Sequence, residues 1–143
     1  ESDVETWRRR AGLSNMTFHG HVSPSKVADV RSTFDVLLAP YQVDLEVEAG
    51  GQSTSGFMSP LKIFEYMASG RPMVVSDLPV LREVLDEATA VFAPPSDVDS
   101  WVRAIDSLRD HGVRIAIATR ALEKARREFT WEQRAMTVMA GVV

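Results

Sequence analysis

Cysteine is absent from the 143-residue chain, which excludes disulfides and thiolate metal sites and is compatible with a reducing compartment. Histidine is scarce too, at 3 residues. His19 and His21 have no third ligand at helical or strand spacing, so no metal site is expected. There is no broad basic field: 16 Lys and Arg stand against 20 Asp and Glu, for a formal net charge of -4. A nucleic-acid partner is therefore not expected. No apolar run approaches the length of a bilayer span, and the first residues resemble neither a signal peptide nor an anchor. A soluble chain is expected, and no internal repeat or low-complexity tract interrupts it.

What is present is a 45% hydrophobic composition, enough for one sizeable core and too little for two ordinary domains. The most informative stretch is Ser59-Pro60-Leu61-Lys62-Ile63-Phe64-Glu65-Tyr66-Met67-Ala68-Ser69-Gly70-Arg71-Pro72. Ser59 is suited to N-cap a helix, and Pro60 to its first position, where a missing N–H costs nothing. Gly56 and Ser59 leave little bulk in front, so an anion could approach the N–H groups of Leu61 and Lys62 and the positive end of the dipole. Lys62 either adds a point charge there or faces solvent. Leu61, Phe64 and Ala68 are expected to form the apolar face, widened by Ile63 and Met67. Glu65 sits among them, one turn in; if buried it needs a hydroxyl or cation partner, and a sugar diol would serve.

The rest of the chain alternates strand and helix signals. Val4 to Ala11 is periodic as a helix, an unusual opening that suggests a piece of a larger protein. Thr17 to Val22 alternates and is β-prone. Ser23-Pro24 starts a helix through Val27, Val30 and Phe34. Asp35-Val36-Leu37-Leu38-Ala39-Pro40 is a nearly continuous apolar run, as in a parallel strand covered on both faces. A long loop is expected at about 42–58, rich in glycine, serine and threonine; loops of that length are commonly functional or disordered. Pro72 to Ser76 is a second buried strand. Asp77 is expected to cap a helix from Pro79 through Leu81, Val84 and Leu85. Thr89 to Ala93 is a third strand before Pro94-Pro95. Asp97 can cap a helix carrying Trp101, Ile105 and Leu108. The next, after Gly112, should turn Ile115, Ala118, Leu122 and Ala125 inward and a basic Lys124, Arg126, Arg127 edge to solvent. Thr130 can cap the last, from Trp131 to about Val138. This order predicts an α/β fold, a Rossmann-like, mostly parallel sheet with helices on both faces. Ligand sites in such sheets lie at the carboxyl ends of the strands, where His19-Gly20-His21, Pro40-Tyr41 and Ser76-Asp77 fall.

The whole chain resembles the C-terminal, donor-binding half of a retaining glycosyltransferase of the two-Rossmann-domain (GT-B) type, in the glycosyl transferases group 1 family, without that domain's first elements. The resemblance rests on Asn15 to Val22, Asp35 to Pro40, Ser59 to Val75, Ala93-Pro94-Pro95 and Phe129-Thr130-Trp131, the third being the specific one. It implies that residues 1–143 are part of a nucleotide-sugar-binding domain whose donor substrate is a nucleotide-diphosphate sugar of undetermined base, with no separate cofactor. Glu65 would be the second carboxylate of the family's paired-glutamate motif and bind the ribose hydroxyls. The amides of Leu61 and Lys62, introduced by Ser59 and Pro60, would hold the diphosphate; His21 and Val22 would lie near the base, and Tyr41 at the donor-pocket wall.

The resemblance has departures. The first acid of the paired motif should fall at Phe57, which leaves sugar recognition open and no catalytic residue assigned. The implied parent transfers a hexose with retention to a glycan, lipid or small-molecule acceptor held by an N-terminal domain. It would work in the cytoplasm, at the inner face of the membrane in members whose basic faces touch anionic lipid. This chain alone is expected to be inactive. Two other readings compete: a nucleotide-sugar epimerase of the same architecture and a non-catalytic α/β interaction module.

Overall fold

A computed structural model describes residues 3–12, 15–42 and 61–141. Helix α1 (Asp3–Ala11) and helix α2 (Pro24–Ser32) precede strand β1 (Leu37–Ala39). Then come α3 (Leu61–Ala68), β2 (Met73–Ser76), α4 (Pro79–Arg82), β3 (Val91–Ala93), α5 (Val98–Ser107), α6 (His111–Glu128) and α7 (Trp131–Ala140). The chain divides into two compact units, Glu1–Val30 and Arg31–Val143.

In the first unit α1 ends at Gly12, whose φ of +58° suits glycine, and the Arg8 guanidinium lies 5.8 Å from the Phe18 ring centroid. The strand expected over Thr17 to Val22 is not formed. Alternation alone does not make a strand, because the ladder needs a partner, and Gly20 turns the backbone left-handed at φ +68°.

The second unit holds the sheet, in the order β1-β2-β3 and parallel throughout. Leu38 is paired with Val74, and Val75 with Phe92. The central strand β2 is buried along its whole length. Its Met73 and Val75 face Ile63, Met67, Leu81, Leu85, Ala121 and Ala125 on one side. Its Val74 faces Ala104, Leu108 and Ile117 on the other. Helices therefore cover both faces of β2, and α6 contributes to both layers. The expectation for β1 is corrected: Leu37 and Ala39 are buried, but Leu38 is 42% exposed. As an edge strand, β1 does not receive the double cover that its apolar run suggested.

The inner faces of two helices also differ from the pattern. In α3 the buried residues are Ile63 and Met67, both 0% exposed, whereas Leu61 is 68% exposed. The sheet takes one margin of a broad apolar stripe, and Phe64 turns aside to meet Phe129, with ring centroids 4.8 Å apart. In α6 the buried set is Ile117, Ala118, Ala121 and Ala125, while Ile115 stands 52% exposed. Small alanines let this helix approach the sheet closely; a stripe of larger side chains would hold it off.

Local signals are realised at the helix starts. Asp97 accepts from the Ser100 amide at 3.0 Å, and Thr130 from the Gln133 amide at 3.2 Å. Helix α6 starts at His111, slightly before the expected position, because Asp110 caps it through the Val113 amide at 2.9 Å. Three other expectations fail. Helix α2 stops at Ser32, short of Phe34, and α4 ends at Arg82, with Val84 and Leu85 in the turn beyond. Nor does Asp77 cap α4: Leu78 is the N-cap, with no side-chain bond.

Candidate functional site

The residues leaving β1 and β2 shape the carboxyl edge of the sheet. Ser76, the last residue of β2, is fully buried, and a buried hydroxyl needs a partner. It donates to the Tyr41 carbonyl at 2.6 Å and lies 3.5 Å from that of Ala39, so the chain leaving β1 is pinned to the end of β2. Tyr41 is half-buried at this point, and burial raises its phenol pKa. The ammonium of Lys62, in the first turn of α3, lies 5.6 Å from the Tyr41 ring centroid, within cation–π range.

Glu65 comes three residues after Lys62, so the two are neighbours on the helix surface. Its side chain is 57% exposed, whereas that of its partner, Arg31, is 13% exposed. Arg31 Nη2 meets Glu65 Oε2 at 2.5 Å, and Nη1 donates to the Glu65 carbonyl at 3.0 Å. The Arg31 guanidinium lies 5.6 Å from the Tyr66 ring centroid. Tyr66 in turn donates its hydroxyl to the Leu38 carbonyl at 3.3 Å. Burial raises the Tyr66 pKa, and the neighbouring Arg31 charge partly opposes that. Beyond α3, Arg71 donates to the Ser32 carbonyl, giving the end of α2 a second tie to this region.

The structure thus brings Lys62 over the Tyr41 ring just beyond the carboxyl end of β1, while Glu65, three residues farther along α3, is bonded by Arg31. Leu61 opens the described part of α3 and projects into solvent; the first N–H groups of a helix have no acceptor within it and are available to an anion. Ser59, Pro60, Phe57 and nearly all of the expected loop lie outside the described residues. His21, exposed, and Val22, half-buried, belong to the first unit.

Asp77, at the same edge, is held by Arg82 in a two-pronged pair at 2.6 and 3.1 Å. Those hydrogen bonds lower the Asp77 pKa. Arg82 also pairs with Glu87 and lies 3.9 Å from the Phe92 ring centroid. This cluster ties the turn after β2 to β3. On α6, Lys124 lies 3.6 Å from Asp86, and Arg127 pairs with Glu128. They line a groove of about 420 Å³ together with Thr89, Arg120 and Glu123. Its mixed charge and lack of any predicted site residue place it apart from the sheet-edge cluster.

Sequence reasoning missed Arg31 and the buried role of Ser76. Arg31 lies 34 residues before Glu65, a separation that no helical or strand periodicity encodes. Ser76 carried a faint signal as the polar end of an apolar strand.

A family model described as glycosyl transferase-like matches residues 3–140. The chain belongs to this glycosyltransferase family. It is 30% identical over 133 residues to the phosphatidyl-myo-inositol mannosyltransferase of Mycolicibacterium smegmatis, covering 90% of this chain and 31% of the relative. The solved sucrose-phosphate synthase of Thermosynechococcus elongatus superposes with a TM-score of 0.75 at 23% identity, over 96% of this chain and 32% of that one. The fold is that of a GT-B glycosyltransferase domain, and the chain spans about a third of the length of either protein. Among the described residues no helix is long and apolar enough to cross a membrane.

Proposed function

We propose that this glycosyltransferase-family chain binds the donor, a nucleotide-diphosphate sugar, for retaining transfer of a hexose. The observation that supports the reading is an exposed carboxylate, Glu65, one turn into α3 and three residues after Lys62, whose ammonium lies over the ring of Tyr41 just beyond β1. A carboxylate there can accept from both hydroxyls of a ribose. Lys62 and the first amides of α3, with Ser59 and Pro60 before them, would take the diphosphate. Tyr41 would wall the pocket. Charge develops on the diphosphate as it leaves, so a helix start aimed at it stabilises the transition state more than the ground state.

The name of the mycobacterial relative supports a hexose, since it is a mannosyltransferase. It also names a phosphatidyl acceptor, which favours a lipid among the glycan, lipid and small-molecule acceptors and work at the cytoplasmic face of a membrane. The acceptor would be held by parts of the protein outside this chain, and the isolated chain would be inactive.

The test is calorimetric titration of the full-length protein with nucleoside diphosphates, followed by turnover with the matching nucleotide sugars. Hydrogen bonds to a charged group contribute about 1.5–3 kcal/mol each, so Glu65→Ala should weaken nucleoside diphosphate binding at least tenfold. Undiminished affinity in that variant would sink the ribose assignment.

A further inference from the structure

Arg31 makes two hydrogen bonds to one residue, and the two ends of the pair differ in exposure. Its guanidinium takes the Oε2 atom of Glu65 at 2.5 Å and the main-chain carbonyl of the same residue at 3.0 Å. The arginine side chain is 13% exposed and the glutamate 57%. Exposed ion pairs contribute little because two long side chains must be held in one geometry. Here the arginine is already held, between the α3 backbone and the Tyr66 ring, which is itself anchored to β1 through the Leu38 carbonyl. The bond to the main chain fixes the guanidinium relative to the helix, and the bond to Oε2 then limits where the carboxylate can point.

An ionised carboxylate has about four lone-pair sites. Arg31 uses one of them, which leaves Oε1 and part of Oε2 for other donors on the exposed side. The arrangement also balances charge: a free carboxylate near a diphosphate site would repel the ligand, and the half-buried guanidinium offsets that repulsion.

We propose that Arg31 is a positioning residue that fixes the Glu65 carboxylate as the acceptor for the vicinal hydroxyls of a nucleotide ribose. This rests on the ribose role proposed above for Glu65. Arg31 touches no ligand; it sets the direction and mobility of the group that does.

The test compares, in the full-length protein, the affinity for the preferred nucleoside diphosphate with that for its 2′-deoxy and 3′-deoxy analogues, measured by titration calorimetry. The readout is the ratio, so a uniform loss of affinity from a weakened fold does not register. Wild-type protein should favour the ribonucleotide at least tenfold. Glu65→Gln should bring the ratio near one. Arg31→Met, which keeps the stem and removes the donors, should cut it at least fivefold. Arg31→Lys, whose ammonium cannot reproduce the planar fork, should fall between Arg31→Met and wild type. If Glu65→Gln abolishes discrimination while Arg31→Met and Arg31→Lys retain the wild-type ratio, the ribose reading stands and the positioning role is overturned. If wild type itself does not discriminate, both fall. Should Arg31→Met fail to fold, a wild-type ratio in Arg31→Lys by itself overturns the positioning role.

Discussion

Replacing Ser76 by alanine removes one oxygen from a fully buried position and cuts the tie between the end of β2 and the chain leaving β1. The lost hydroxyl donates to the Tyr41 carbonyl at 2.6 Å. A typical intramolecular hydrogen bond contributes about 1 kcal/mol net, and a buried acceptor left without its donor costs about 1–3 kcal/mol. Tyr41 is half-buried, so water can relieve part of that second cost, and about 1.5 kcal/mol is the expected total. For a chain of this size the change corresponds to roughly 3–6 °C in Tm. Urea unfolding followed by far-ultraviolet circular dichroism measures it, with an unchanged slope expected because the surface exposed on unfolding is the same. Nucleoside diphosphate binding should weaken alongside, since Tyr41 would be freed at the wall of the proposed pocket. A Ser76→Ala protein within about 0.3 kcal/mol of wild type would refute the claim that this bond pins the site edge.

Gly70 follows α3 with φ at +64°, and a Cβ there would lie 3.5 Å from Leu122 Cδ2, an ordinary contact. Gly70→Ala should therefore cost about 1 kcal/mol, from backbone conformation and not from crowding; Gly70→Asn should cost less, and an alanine variant as stable as wild type in urea would contradict this. The Asp97 carboxyl is held below its ordinary pKa by hydrogen bonds from the Ser100 hydroxyl and amide. A depressed folded-state pKa contributes stability that is present above the unfolded value, near about 3.9, and is lost as pH falls through the folded value. Asp97→Asn, which can still cap, should lose less stability than wild type in urea series run from about pH 5 downward; parallel curves would refute the coupling.

Much of the secondary structure was legible because its causes are local. Asp97 and Thr130 cap their helices from three residues away. The apolar run before Asp77 became the central buried strand because so few polar atoms need satisfying there. Glu65 and Lys62 could be placed on one helix from spacing alone. What spacing could not supply was the choice between margins of a broad apolar stripe. Ile63 and Met67 face the sheet in place of Leu61 because the sheet's surface decides which margin fits best. Asp77 was misassigned for a related reason. The rule for caps is local, but Arg82 supplied a charged two-pronged partner that outcompeted it.

The sequence by itself determined the alternation of strands and helices, most of the helix starts, and the family to which the chain belongs, since each depends on neighbours a few residues apart or on a contiguous motif. Only the tertiary structure decided that β1 is an edge with Leu38 open, that Ser76 bonds the Tyr41 carbonyl, and that Glu65 pairs with Arg31. Those contacts join residues 34 or 35 positions apart, and such pairings exist only once the fold has set Arg31 against α3 and the end of β1 beside that of β2.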